Sequence, residues 1–167
     1  IDHVDAVMLS GEAANGKYPV ESVRIMKDII ENTESSPYDN VTHLLKLKDD
    51  EDFKNFVKSA YELAKDKNVK AIAVASASGF TARLVSHFRM EKPLLVATNK
   101  EKTYNQMSLI WGAEGFFFQE KELAKVANEM IENQKAAGQL IAGDLVAIVL
   151  GKEGAEEKTH SAKTKKI

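Results

Sequence analysis

Two runs in this chain, Ala71-Ile72-Ala73-Val74-Ala75 and Leu145-Val146-Ala147-Ile148-Val149-Leu150, are apolar at every position. Leu94-Leu95-Val96-Ala97 is of the same kind, and Gly115-Phe116-Phe117-Phe118 follows it. Successive side chains of a strand point to opposite faces, so strands of this composition need cover on both. The cover is written between the runs. Phe53, Phe56, Val57, Ala60, Leu63 and Ala64 fall at helical spacing, with Asp49 and Asp50 ahead of them as cap candidates. Thr81, Leu84, Val85 and Phe88 mark a second helix, residues 101–110 a third, and Leu123, Val126, Ala127, Met130 and Ile131 a fourth. Short apolar strands alternating with amphipathic helices specify an α/β fold. It should be a three-layer sandwich whose mostly parallel sheet has about five strands, with helices on both faces. Lys163, Lys165 and Lys166 put charge on an exposed final strand, the way a sheet edge resists further pairing.

Composition removes several functions. With 44% hydrophobic residues the 167-residue chain can bury a sizeable core, so disorder is not the expectation. A net charge of -2 from 23 basic and 25 acidic side chains gives no electrostatic case for nucleic acid or for an anionic membrane surface. The chain has no Cys, which excludes disulfides and thiolate metal sites. No apolar run approaches the roughly 20 residues of a membrane span. The expectation is a soluble cytoplasmic protein.

The beginning of the chain is organised differently. Val4-Asp5-Ala6-Val7-Met8-Leu9 reads as a buried strand that runs straight into Ser10-Gly11-Glu12-Ala13-Ala14-Asn15-Gly16-Lys17-Tyr18-Pro19. A strand needs partners for its backbone groups, and these are expected from outside this sequence. A helix over 19–32 follows, with Pro19 at its first position, Glu21 in the first turn, and a stripe of Val20, Val23, Met26, Ile29 and Ile30. The polar segment from Asn32 to Pro37 breaks the composition and reads as a junction.

Two stretches look like anion sites. Gly11 to Lys17 has the Gly-x4-Gly-Lys spacing of a phosphate-binding loop, but Tyr18 replaces the required Ser or Thr. Its interior lacks glycine, and Glu12 would aim negative charge at the phosphates. That reading is set aside. Ala75-Ser76-Ala77-Ser78-Gly79-Phe80-Thr81-Ala82-Arg83 is the better site, because it follows a buried strand and opens a helix. Ser76 or Ser78 can cap that helix, Gly79 lets backbone approach a ligand, and free N–H groups with the helix dipole favour an anion. The residues alone leave two readings open: a phosphate site at a strand end, or simply a well-capped helix.

Met8 to Val23 resembles the signature Met-Leu-Ser-Gly-Glu-(Thr/Ala)-Ala-x-Gly-x-Tyr-Pro-x-Glu-x-Val that ends the catalytic barrel of pyruvate kinases. The resemblance extends over residues 4–32 and 69–151. It implies that residues 1–33 are the last strand and helix of a TIM barrel, 34–47 a junction, and 48–167 the C-terminal effector-binding and oligomerisation domain. It implies transfer of a phosphoryl group from phosphoenolpyruvate to ADP in the full-length enzyme, with magnesium and potassium as cofactors. Ser10, Gly11 and Glu12 would then wall the mouth of the active site, at the barrel face where such chemistry sits. The family's catalytic arginine, lysine and metal-binding acids lie earlier in its sequence, so this piece should be inactive and bind neither ion.

In the same family a Thr/Ser-x-Ser-Gly-x-Ser/Thr loop holds a phosphate of an activator, fructose bisphosphate in several branches. The matching residues are Ser76, Ser78, Gly79, Phe80 and Thr81, with Arg83 one helical turn in, where it should face solvent. The family's second, glycine-rich effector loop is represented only by Gly154 and Thr159, among Glu153, Glu156 and Glu157, which would repel a second phosphate. A monophosphate, or no effector at all, is therefore as well supported as a bisphosphate. The implied partners are the rest of the pyruvate kinase chain, further copies in a homo-oligomer (a tetramer in the full enzyme, a dimer here), and a phosphorylated metabolite. The alternatives are a stand-alone phosphometabolite-binding module and a purely structural oligomerisation domain. His3, His43, His87 and His160 lack metal-ligand spacing, and Trp111-Gly112 reads as a packing turn.

Overall fold

The computed structural model describes residues 4–36, 51–120, 122–151 and 161–167. The chain divides into two compact units, Ile1–Leu44 and Leu45–Ile167.

In the first unit, residues 4–10 form no strand, although Val4–Leu9 has the composition of one. The reason is the absence of a neighbour: among the described residues of this unit no strand offers hydrogen bonds, and an apolar run alone does not hold an extended backbone. A single turn, α1 (Gly11–Ala14), comes next. The N–H groups of Ala13 and Ala14 donate to the Ser10 carbonyl, and that of Asn15 to the Gly11 carbonyl. Gly16 closes beneath it, where a Cβ would lie 2.3 Å from the Glu12 carbonyl oxygen. The N–H groups of Ala13, Ala14 and Asn15 are thus spent on carbonyls of the turn, and that of Glu12 on its own carboxylate, which argues geometrically against a phosphate cradle here. The Glu12 carboxylate accepts N–H bonds from its own residue and from Ser10, which hold it below the usual carboxylate range. Helix α2 (Pro19–Glu34) starts with Pro19 in the first turn, as expected. Its apolar stripe is not a core, however. Val20 is 64% exposed and Ile29 60%, Met26 and Ile30 are half-buried, and no residue of α1 or α2 is buried.

The second unit is the expected α/β sandwich. Helix α3 (Glu51–Lys65) leads into β1 (Val69–Ala75), α4 (Phe80–Ser86), β2 (Leu94–Thr98), α5 (Glu101–Met107), β3 (Ala113–Phe117), α6 (Leu123–Ala136), β4 (Leu145–Leu150) and β5 (Ser161–Lys166). The five-stranded sheet has the order β3-β2-β1-β4-β5. Strands β1 to β4 run parallel, with Val74 opposite both Val96 and Val149, and β5 pairs antiparallel with β4. Both faces are covered, as the apolar runs require. Ile72, Val74, Val96 and Val149 face Phe56, Ala60, Val85 and Met107 from α3, α4 and α5. Ala71, Ala73, Leu95 and Ile148 face Leu123, Val126, Met130 and Ile131 from α6. The alternating small residues of β1 let α6 approach its face closely, which is why that strand uses Ala at every second position.

Two boundaries shift. Helix α5 ends at Met107 rather than at residue 110, and β3 begins at Ala113, two residues before the apolar run. Pairing with β2, Leu94 opposite Ala113 and Leu95 opposite Glu114, recruits residues whose own composition says nothing about strand. Between them Gly112 turns the chain at a φ of 68°. Trp111 packs as the turn reading expects: its carbonyl accepts the Ser86 hydroxyl at 2.7 Å, and the Arg89 guanidinium lies 4.6 Å from its ring centre. Lys163 and Lys166 are exposed on the edge strand β5, while Lys165 reaches back to the Asn128 side chain at 3.0 Å. Among the described residues no helix is long and apolar enough to cross a membrane.

Candidate functional site

The chain leaves the end of β1 toward β2, while β4 lies on the other side of β1. Strand order therefore reverses at the β1–β4 pair, and in open α/β sheets the carboxyl ends at such a reversal form a crevice. The segment from Ser76 to Thr81 occupies that position.

Each residue is held by a specific bond. The Ser76 N–H continues the β1–β2 ladder by donating to the Ala97 carbonyl at 3.0 Å. Its hydroxyl oxygen accepts the Gly79 N–H at 3.0 Å, and the Ser78 hydroxyl accepts the Phe80 N–H at 3.3 Å. The expectation that a serine caps α4 is corrected here, since the N-cap position belongs to Gly79, with φ 77°. The two serines instead brace the turn around it. A side chain at Gly79 would be strained at that φ, and its Cβ would lie 2.9 Å from Met107 Cε and 3.3 Å from Thr103 Cγ2. From α5, the Thr103 hydroxyl donates to the Ala77 carbonyl at 2.7 Å.

Thr81 and Ser76 are each only 2% exposed. Thr81 is turned toward the end of β4, where Gly151 donates its N–H to the Ala75 carbonyl at 2.7 Å. A Cβ at Gly151 would lie 2.6 Å from Thr81 Oγ1. Of the hydroxyls in this loop, Ser76, Ser78 and Thr81, only that of Ser78 is in an exposed residue, and Phe80 beside it is 49% exposed. A serine oxygen that accepts an N–H bond still has its own O–H to donate. The first-turn N–H groups of Thr81 and Ala82 have no carbonyl within α4 to receive them. Arg83 is exposed as expected, but its guanidinium also folds back, with Nη1 3.5 Å from the Cβ position of Gly79. Long helical side chains lean toward the preceding turn, so a residue one turn in reaches the loop. Thr81 and Ala82 are themselves only 2% and 0% exposed, so the donors that face solvent are the Ser78 hydroxyl and the Arg83 guanidinium, a pair suited to one small anion.

The structure thus brings Ser76, Ser78, Gly79, Phe80 and Thr81 together and adds Arg83, Thr103, Met107 and Gly151. Gly154 and Thr159 lie outside the described residues. Ser10, Gly11 and Glu12 belong to the first unit. Among the described residues no three His, Asp or Glu side chains converge to hold a metal ion.

A family model described as "Pyruvate kinase, alpha/beta domain" matches residues 54–164. The chain is 34% identical over 158 residues to a pyruvate kinase of Lactobacillus delbrueckii subsp. bulgaricus, an alignment covering 90% of this chain and 26% of that protein. It is 34% identical over 164 residues to a pyruvate kinase of Staphylococcus epidermidis, covering 95% of this chain and 28% of the relative. It is 33% identical over 153 residues to one from Staphylococcus aureus, covering 90% and 26%. The chain therefore spans about a quarter of the length of the curated relatives it matches.

Proposed function

Because the chain belongs to the pyruvate kinase family through its alpha/beta domain, we propose that it is the C-terminal, regulatory part of such an enzyme. The whole enzyme would move a phosphoryl group from phosphoenolpyruvate to ADP, giving pyruvate and ATP. This part would contribute subunit contacts and an effector pocket, and no chemistry of its own. Magnesium and potassium would serve the transfer step by stabilising charge on the phosphoryl oxygens. The donor set described above does not fit either ion, so both are assigned to groups outside this sequence. The first unit supports the same reading: a helix with its apolar stripe open to solvent is half of an interface, and the rest of the kinase chain would cover it.

The single observation that carries the effector proposal is the exposed Ser78 hydroxyl beside the back-folded Arg83, at the reversal point of the sheet. An anion seated there receives a neutral donor from Ser78 and a charge-assisted bond from Arg83. One phosphate fits this set, and the acidic sequence from Glu153 to Glu157 argues against a second. The test is a thermal-shift series with a sugar monophosphate, fructose bisphosphate and AMP. A ligand at a hundredfold excess over its Kd should stabilise the chain by about 2.7 kcal/mol. Ser78→Ala should weaken that shift. No shift with any of these up to millimolar concentration would sink the effector reading. A coupled assay for pyruvate on the same chain should show no turnover, and measurable turnover would refute the division of labour.

A second reading has its own support. With Ser76 and Thr81 buried, fewer donors face solvent than the motif suggests, as a purely structural oligomerisation domain with a disused loop would have it. A concentration-dependent dimer in sedimentation together with a flat thermal-shift series would favour that role.

A further inference from the structure

Two kinds of bond hold the β1–α4 loop. The Ser76 and Ser78 hydroxyls accept N–H groups from within the loop and set its shape. Its placement depends on bonds that reach elsewhere, and the Thr103 hydroxyl supplies one from 26 residues away. Thr103 is only 5% exposed. A hydroxyl at that depth needs its partner, and the Ala77 carbonyl would lose a donor with it. The methyl of the same side chain packs under Gly79, next to Met107 Cε. Gly79 has no Cβ, which leaves this methyl room, and the directional tie between α5 and the loop is the Thr103 hydroxyl bond.

We propose that Thr103 is a positioning residue for this loop: it ties the loop to α5, and without it Ser78 and the first turn of α4 lose their common orientation. What the loop is for rests on the effector reading above, but its placement is testable without a ligand. The comparison is between the parent chain, Thr103→Val, which keeps the shape and removes the donor, and Thr103→Ser, which keeps the donor. Amide hydrogen exchange reports local opening of the segment 76–82, with α6 as the internal reference.

In Thr103→Val, exchange across 76–82 should rise about fivefold to tenfold relative to α6, as expected for one lost neutral hydrogen bond. In Thr103→Ser it should stay within about twofold of the parent. Equal acceleration in α6 and the loop, or none in either, would mean that Thr103 is ordinary core, and the proposal falls. Should the valine variant not fold, the serine variant still decides: selective acceleration of 76–82 with the donor present overturns the proposal, and parent-like exchange supports it. Fructose bisphosphate and inorganic phosphate serve as binding probes. If either binds the parent, affinity should drop in Thr103→Val and return in Thr103→Ser, and unchanged affinity in the valine variant counts against positioning. If neither binds the parent, exchange alone judges Thr103.

Discussion

Replacing Gly151 by Ala puts one methyl group into the tight junction between the end of β4 and the first turn of α4. The new Cβ would sit 2.6 Å from Thr81 Oγ1, 3.3 Å from Thr81 Cβ and 3.2 Å from the Ala75 carbonyl oxygen. Thr81 has nowhere to go, because it is 2% exposed and lies in the first turn of α4. Relief has to come from moving the end of β4 away from β1, which stretches the 2.7 Å bond from the Gly151 N–H to the Ala75 carbonyl. Overpacking of this kind costs about 1–3 kcal/mol, and weakening the bond adds up to about 1 kcal/mol. The expected destabilisation is about 2–3 kcal/mol. In a Thr81→Ala background Oγ1 is gone and mainly the backbone contact remains, so the same substitution should cost only about 1 kcal/mol. The double-mutant cycle should therefore give a coupling of about 1–2 kcal/mol. Urea unfolding followed by the fluorescence of Trp111, the single tryptophan of the chain, reads this directly. A loss of about 2 kcal/mol moves the midpoint by roughly 1 M urea with the slope unchanged. A cost below about 0.5 kcal/mol, or the same cost in both backgrounds, would refute the account of this junction.

Other perturbations probe separate parts of the chain. The Lys92 ammonium donates to the carbonyls of Ala64 and Asp66 at the end of α3; Lys92→Met should cost about 1–2 kcal/mol in urea unfolding and speed amide exchange in the last turn of α3. Val20→Ser with Ile29→Ser should change stability by no more than about 0.5 kcal/mol, because both positions are already exposed; a larger loss in the same unfolding curve would show that α2 has a packing partner. Lys125 sits 3.2 Å from Glu122, and that hydrogen bond, with the charges of Glu120 and Glu122, raises it above its ordinary 10.5. Its folded value exceeds its unfolded one, so the favourable contribution is complete below the ordinary value and is lost as pH rises through the raised one. The pair is exposed, so the measurement is an NMR titration rather than a melt: Glu122→Gln should return Lys125 toward 10.5, and an unmoved midpoint would count against the assignment.

The sheet was legible because its signal is local and repeated. Runs such as Ala71–Ala75 and Leu145–Leu150 have one stable use, between two layers of helices, and the helix spacing from Phe56 to Ala64 and from Leu123 to Ile131 supplies those layers. The position of the loop was legible for the same reason, since a serine- and glycine-rich stretch between an apolar strand and a helix must lie at a strand end. Two things were not. Val4–Leu9 has the composition of a strand, but a strand is a relation between two segments, and the described residues of its unit offer no second one. The cap of α4 fell to Gly79 because of what α5 places beneath it, and neither Thr103 nor Met107 has a local feature tying it to residue 79.

By itself, then, the sequence determined the α/β class, the parallel core and the family to which the chain belongs, because periodicity and motifs act over neighbouring residues. Only the tertiary structure decided which hydroxyls face inward, with Ser76 and Thr81 buried and Ser78 open. It alone set Gly151 against Thr81 and hung the loop on Thr103. Those outcomes depend on contacts across 26 residues or more, where chain closure rather than local preference selects the neighbour.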